Sequence, residues 1–579
     1  MKILLTTLHA KYIHASLALP YLQAATTEIP EIQSVIREFT VNEARSMVLR
    51  EIIAENADLV AFSCYIWNID AVTRIAADLK KVCPGTLLVA GGPEVSYSAQ
   101  EFLQEHSAFD YVIRGEGEQS WQEFLGYLAV NGVSAASPSA VPAGIAYRSK
   151  NGPEPGRERE TIRNLDEIPS PFALGLVDTA KPLVYYETSR GCPFSCAFCL
   201  SSREKGVRSF SLARIHADIL YLIQSEVQVV KLVDRTFNYD AGRANEIWEF
   251  ILAHNRSSTF HFEIAADLLT DENISTLAKV PAGKFRFEIG VQAVGKETLS
   301  RVGRTSDPDL LLARVKQLTE QTGITVHLDL VAGLPGEDFS GFLASLERLF
   351  PANPQHIQVE PLKVLKGSPM VEIAAKEEYA FSANPPYTIL RTPYLSFVEI
   401  GQIEEISRLL DLYFNSGRFK CSLATVAGYL NLSVFFDTMA YFMRKESAGG
   451  QISLKNLFEL MWRFGLEMLP AEAGNSFREA LCYDFCCGEY PSTGLQPSFF
   501  PEEWKVSSNV LTRKTIDTVL AKVEKPFGSR VRTFTARFSQ DYRLSPPKPG
   551  RVDLIFVYVS ASGQGLRVET FSAPPAAVN

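Results

Sequence analysis

Over most of residues 1–375 the chain repeats one pattern. A short apolar run stops at a polar or glycine-rich tip, and a stretch with apolar residues at helical spacing follows. Strands that alternate with helices cannot pair through hairpins. They need crossovers, and crossovers build parallel sheets or barrels. In the first 130 residues the runs MKILLTTL, SVIREFTV, ADLVAFSCYIW, TLLVAGGPEVS and FDYVIR read as strands. LALPYLQAATTEI, ARSMVLREIIAEN, DAVTRIAADLKKVCP and the stretch after Gly115 read as helices. The expectation is a doubly wound α/β domain over residues 1–135. Such sheets bind ligands at the C-terminal strand ends, where Ser63, Gly91, Gly92, Gly115 and Glu116 fall. Glycines there let a bulky, flat ligand approach the backbone.

The chain has nine cysteines, an uneven set that is not a disulfide framework. Three of them lie in one turn-rich loop, Arg190-Gly-Cys-Pro-Phe-Ser-Cys-Ala-Phe-Cys199. Thiolates from such a loop can converge on three irons of a cubane cluster, each ligand neutralising and holding one iron. A fourth iron is left with an open position, which is what separates a catalytic metal site from a closed structural one. Cys192, Cys196 and Cys199 are therefore the candidate metal ligands. Gly191 and Pro193 are expected to stop the preceding strand, KPLVYYETS, so that the loop can wrap the metal. A second group, Cys482, Cys486 and Cys487, reads as soft core residues of a helix, with a second metal site as the lesser alternative.

The cysteine loop resembles the signature of the radical S-adenosylmethionine (SAM) superfamily, and Phe198 matches its usual aromatic before the last cysteine. The segments KLVDRTFN, FHFEIAADLL, FRFEIGVQAV, VHLDLVAGLPGED and IQVEPLKVLKGSPM resemble successive strands of that superfamily's open (β/α)6 barrel. The resemblance implies a radical SAM core over residues 181–375, with Asp234, Glu263, Gln292, Asp329 and Glu360 at the strand ends. It implies a 4Fe-4S cluster whose open iron is chelated by SAM, and reductive cleavage of SAM to a 5′-deoxyadenosyl radical. By position, Glu263 resembles the acid that bonds the SAM ribose. Asp234 and Thr236 sit where the methionyl amino end is held, although the familiar Gly-Gly-Glu is absent. Gln292 and the Gly333–Gly336 turn resemble SAM-pocket elements.

Ahead of such a core, VAGGPEVS and VIRGEGEQS are similar to the turns of cobalamin-binding domains. The sequence departs from them after the first strand, where TTLHAKYIHASLALP lacks Asp-x-His-x-x-Gly. His9 and His14 have the wrong spacing, so the resemblance implies cobalamin bound without a protein His ligand.

Residues 136–180 read as a Pro/Gly/Ser-rich linker with one short strand, AGIAYR. Residues 376–579 read as a mainly helical domain closed by a two-stranded element, VDLIFVYVSASGQGLRVETF, and a frayed SAPPAAVN end. This region resembles an uncharacterised domain found behind such cores. Its aromatics, Phe435, Phe436, Tyr441, Phe442, Trp462 and Phe464, read as core packing or as an apolar wall over the barrel mouth.

Composition trims the function classes. Lys+Arg number 57 against Asp+Glu 66, a net charge of −9, which disfavours nucleic acid as partner. No apolar run reaches the ~18 residues of a membrane span, and the N-terminus lacks a secretory pattern. A cytoplasmic enzyme is expected, with a small-molecule substrate and, as the resemblance implies, an electron donor such as flavodoxin or ferredoxin. The resemblance points to cobalamin-dependent methylation of an unactivated carbon. The alternatives are a radical oxidoreductase or rearrangement enzyme of the same architecture, or a non-catalytic cobalamin or redox sensor.

Overall fold

The computed structural model describes residues 1–131, 141–204, 206–446, 452–492, 496–501, 513–524, 526, 528–544, 546–560 and 565–572. The start of the expected linker and all but the first residue of SAPPAAVN lie outside the described residues. The chain divides into two compact units. One is Met1–Phe342 with Pro351–Pro354 and Glu360–Ile400; the other is Leu343–Phe350, Gln355–Val359 and Gly401–Asn579.

The first unit opens with the doubly wound domain. Strands β1 (Lys2–His9), β2 (Gln33–Thr40), β3 (Leu59–Ser63), β4 (Leu87–Gly91) and β5 (Tyr111–Ile113) are parallel, in the order β2-β1-β3-β4-β5. Alternate residues of β1 enter two separate cores. Leu4 and Leu8 join the helices Arg45–Ala54 and Ile69–Val82, while Ile3 and Leu5 join Ala18–Ala24 and Glu118–Asn131. Burial on both faces explains why these strands read as continuous apolar runs. Each such side chain contributes about 1.5–3 kcal/mol. The expected linker does more than connect. Its strands β6 (Ile145–Ser149) and β7 (Gly152–Glu154) extend the same sheet antiparallel beyond β5.

The cysteine loop is carried differently from expectation. The strand β8 (Leu183–Tyr186) ends early, and Gly191 lies inside a further strand, β9 (Ser189–Cys192), paired antiparallel with β10 (Gly206–Ser209). Gly191 has φ +92°, and a Cβ there would lie 2.2 Å from the Gly206 carbonyl oxygen, so only glycine fits. The loop is thus the head of a short hairpin.

The barrel strands follow: β11 (Val229–Leu232), β12 (Thr259–Ile264), β13 (Phe285–Gln292), β14 (Thr325–Ala332) and β15 (His356–Pro361). With β8 they form one six-stranded sheet in the order β15-β14-β13-β12-β11-β8, the open barrel that the resemblance implies. Along each strand, buried apolar residues alternate with half-buried polar ones. On one face Phe262 and Phe287 meet the ring of Trp248 from the helix Ala241–His254. On the opposite face stand Lys231, His261, Glu263, Glu288, His327 and Asp329. Two short strands, β16 (Ala380–Phe381) and β17 (Ile389–Arg391), complete the first unit, whose last residue is Ile400.

The second unit is helical with a terminal sheet. That sheet has three strands rather than two: β18 (Arg530–Asp541), β19 (Lys548–Ser560) and β20 (Arg567–Ser572). Phe435, Phe436 and Phe464 are buried, and Phe464 meets the rings of both Phe435 and Phe442, which is core packing. Tyr441 is 57% exposed. Cys482 and Cys486 are fully buried in the helix Gly474–Gly488, where burial pushes both thiols up. Asp484 on the same helix accepts from the backbone N–H groups of Cys421 and Ser422 and so caps the helix Lys420–Ala427. No single helix among the described residues is long and apolar enough to cross a membrane. The helices Lys420–Ala427 and Leu432–Lys445 reach that composition only together, across a bend of 112°.

Candidate active site

Cys192, Cys196 and Cys199 open on one cavity of about 170 Å³ at the C-terminal end of the barrel strands. Phe198, Thr236, Glu263 and Gln292 line it with them, as does Asp329. Of the residues singled out in the sequence, this is the group that the fold brings together. All three cysteines are free, and Thr236 Oγ1 lies 3.4 Å from Cys192 Sγ. Among the described residues no three His, Cys, Asp or Glu side chains close on a single-ion site. Three thiols lining one cavity are a donor set that suits an iron–sulfur cluster. One further feature fits an anionic group. Arg304 lines the same cavity, and its Nε is buried without a hydrogen-bond partner.

The strand register assembles the polar face. Lys231 pairs with His261, Glu263 with Glu288, and Glu288 with His327 across neighbouring strands. Glu288 accepts from Lys231 Nζ at 2.9 Å and faces His261 Nε2 at 3.0 Å. Burial alone would raise its carboxyl, but these two partners outweigh it and draw the group down to about 2. His327 Nε2 is 2.9 Å from Asp329 Oδ1, and this contact raises the imidazole against the effect of burial. Glu263 is the exception. Its nearest cation, Lys231 Nζ, is 3.9 Å away, and burial pushes its carboxyl up to about 7 despite Arg235. It is an under-partnered acid facing the cavity, with acceptor capacity to spare.

Other expected residues stand elsewhere. Asp234 is fully buried and does not line the cavity. It accepts from Thr188 N at 3.0 Å, Thr188 Oγ1 at 2.5 Å and Ser189 Oγ at 2.5 Å. Its observed contacts anchor the segment that leads into Cys192. Glu360 bonds Lys363, and Asp329 sits inside β14 rather than at its tip. Gly333 and Gly336 both have positive φ; a Cβ on Gly333 would meet Ile389 at 2.2 Å and one on Gly336 would meet Arg301 at 3.0 Å. They form a tight turn outside the cavity.

In the N-terminal domain Ser63 and Gly91 pair at the ends of β3 and β4. Gly92 has φ +106°, with its absent Cβ 2.5 Å from the Cys64 carbonyl oxygen, and Gly115 borders open space. Small residues thus stand at these strand ends, with Gly92 packed directly on the Cys64 backbone. Glu116 is committed otherwise: its carboxylate accepts from Arg190 and Arg208 on β9 and β10 and from Ile162 N. His9 Nε2 faces Glu38 at 3.3 Å, and His14 Nδ1 is 2.7 Å from Tyr185 Oη.

Sequence reasoning missed Lys231, His261, Glu288, Arg235 and Arg304. Period-2 alternation through FHFEI and FRFEI places His261 and Glu288 on the face of Glu263 and could have found them. Arg304 follows a turn and carries no such signal.

The family comparisons agree with this architecture. The B12 binding domain matches residues 3–125, the Radical SAM superfamily residues 186–349, and a protein of unknown function (DUF4080) residues 376–527. The chain joins a B12-binding domain to a radical SAM domain. The DUF4080 domain follows them. A 4Fe-4S cluster, SAM and cobalamin are the cofactors of this combination. The chain is 27% identical over 344 residues to 2-(S-pantetheinyl)-carbapenam-3-carboxylate methyltransferase of Streptantibioticus cattleyicolor, covering 54% of this chain and 48% of that protein. It is 24% identical over 424 residues to the cobalamin-dependent radical SAM methyltransferase TokK of Streptomyces tokunonensis, covering 68% and 60%. It thus spans about half the length of the first and 60% of the second. In fold it is similar to the cobalamin-dependent SAM radical enzyme OxsB, with a TM-score of 0.58, 14% identity and coverage of 84% and 83%.

Proposed function

We propose that this chain is a radical SAM enzyme that methylates an unactivated carbon of a small-molecule substrate with the help of cobalamin. One observation carries the reading: three free thiols and an under-partnered carboxylate share one cavity at the C-terminal strand ends of a barrel that follows a B12-binding domain. When bound, the cluster with SAM supplies a hydrogen-abstracting radical, and cobalamin supplies the methyl group.

The chain's own residues bind and orient. Cys192, Cys196 and Cys199 would hold the cluster and leave it an open position for SAM. Glu263 accepts hydrogen bonds from a vicinal diol, the SAM ribose, because its carboxylate lacks a close partner. Thr236 and Gln292 line the same cavity and orient SAM within it. Ser63, Gly91, Gly92 and Gly115 would form the rim against which cobalamin rests, without a histidine ligand, since the segment after the first strand lacks Asp-x-His-x-x-Gly. On the polar barrel face Lys231 and His261 hold the Glu288 carboxyl low, which keeps a fixed negative charge beside the cavity. A reducing partner such as flavodoxin or ferredoxin delivers the electron, in the cytoplasm. The methyltransferase names of the two relatives support methylation over a rearrangement or an oxidation. The open SAM pocket argues against a sensor, which has no use for one.

The test is anaerobic incubation with SAM carrying a deuterated methyl group, reductant, cobalamin and cell extract, followed by mass spectrometry. The expected result is 5′-deoxyadenosine together with a product that carries the label. Formation of 5′-deoxyadenosine with no labelled product refutes methylation, and absence of both refutes the radical SAM reading.

A further inference from the structure

We infer that Arg304 is a positioning residue for the cysteine loop, and that its hydrogen bond to the sulfur of Cys196 raises the reduction potential of the cluster held there. The inference rests on the proposed function, in which that loop holds a 4Fe-4S cluster.

Three separate contacts bring the segment Val302–Gly303–Arg304 onto the loop. The backbone N–H of Ala197 donates to the Val302 carbonyl at 2.8 Å. Gly303 has φ +68°, and a Cβ there would lie 3.0 Å from the Ser195 carbonyl oxygen, so the two backbones meet where only glycine is unstrained. Arg304 then closes on the loop with its side chain. Its NH1 donates to Cys196 Sγ at 3.6 Å, and its guanidinium lies 5.4 Å from the centre of the Phe194 ring. NH2 donates to the Gly290 carbonyl at 2.5 Å, which ties the same side chain to β13. Cys196 is the most buried of the three ligands, at 6% exposure.

The chemistry follows from charge. Reduction adds an electron to a cluster that its thiolates already make anionic. A cation with an N–H aimed at one of those sulfurs stabilises the reduced state more than the oxidised one. Hydrogen bonds to the sulfurs and local charge are among the main determinants of cluster potential. Arginine suits the task because its fork can serve Cys196 and Gly290 together and still stack on Phe194, which a lysine cannot do.

The experiment compares anaerobically reconstituted wild type, Arg304→Met, Arg304→Gln and Arg304→Lys. Iron and sulfide are counted first, and the midpoint potential is then read from redox titration followed by electron paramagnetic resonance. Arg304→Met is expected to hold its cluster at a lower potential than wild type, with Arg304→Lys in between. If the Met variant does not load, Arg304→Gln, which keeps an N–H donor without the charge, is expected to load and to titrate below wild type. A loaded Met or Gln variant with the wild-type potential overturns the inference. Wild type without iron overturns the cluster reading itself, so the two failures are distinct.

Discussion

At the scale of single residues the decisive contrast is between two neighbouring carboxylates on one barrel face. Glu288 has two close partners, Lys231 and His261, that hold its carboxyl low, whereas burial pushes the Glu263 carboxyl up to about 7. Donors from a ribose diol favour the ionised form, so SAM affinity should rise with pH up to about 7 and level off above it. Glu263→Gln should lower that affinity roughly 10–100-fold at pH 8, from the loss of about 1.5–3 kcal/mol, and should abolish the pH dependence. Calorimetry between pH 6 and 8 reads both. The same shift has a sign for stability. The folded group binds its proton more tightly than the unfolded one, whose value is near 4.5. Stability is therefore lost as pH rises from there towards 7. The Gln variant without ligands should melt higher than wild type at pH 8, and the two should converge near pH 4. The cysteine triplet and Glu263 were legible in the sequence because their spacing and strand position are local. Arg304 was not, because its partner Cys196 is 108 residues away and only the folded barrel brings them together.

At the scale of elements the strand–helix alternation gave the two parallel sheets almost directly, since burial on both faces of a strand, or on one, shows in its period. The β9–β10 hairpin was hidden. Gly191-Cys-Pro193 reads as a chain break, and the positive φ that lets Gly191 sit within a strand cannot be seen in the sequence. Asp234 follows a strand, the position from which a ligand role is expected, and its observed contacts fasten Thr188 and Ser189 at the start of β9. Removing it strands Thr188 N and two hydroxyls in a buried place, each at about 1–3 kcal/mol. Asp234→Ala should therefore lower the melting temperature of the chain and its iron content together. Asp234→Ala that melts like wild type but fails to bind SAM would return Asp234 to the ligand role. Gly303→Ala should likewise reduce iron content, because the new Cβ pushes against Ser195 in the cysteine loop.

At the scale of the molecule, the first unit fastens its B12-binding domain to the cysteine hairpin by charge. Arg190, two residues before Cys192, meets Glu116 at 3.2 Å, Glu118 at 2.6 Å and Glu187 at 2.7 Å, while Arg208 on the paired strand meets Glu116 at 2.9 Å. Burial works against the Arg190 charge, but Glu187 and Glu118 outweigh it and hold the guanidinium protonated. The pairs are largely buried, with 14% of the Arg190 side chain exposed and 10% of each of Glu116 and Glu118. Breaking such a set from one side leaves uncompensated charge, at about 3–5 kcal/mol, whereas removing both sides costs much less. The ends of β5 and of the hairpin should then loosen together. Hydrogen exchange can read this directly: Glu116→Gln with Glu118→Gln should speed exchange at residues 111–118 and at 189–192 alike. Adding Arg190→Met together with Glu187→Gln, so that Glu187 is not left buried without its partner, should restore part of the protection, as coupling through shared partners requires. Faster exchange confined to 111–118, unchanged by these further substitutions, would show that the two domains meet without this coupling and that the hairpin is held by the barrel alone.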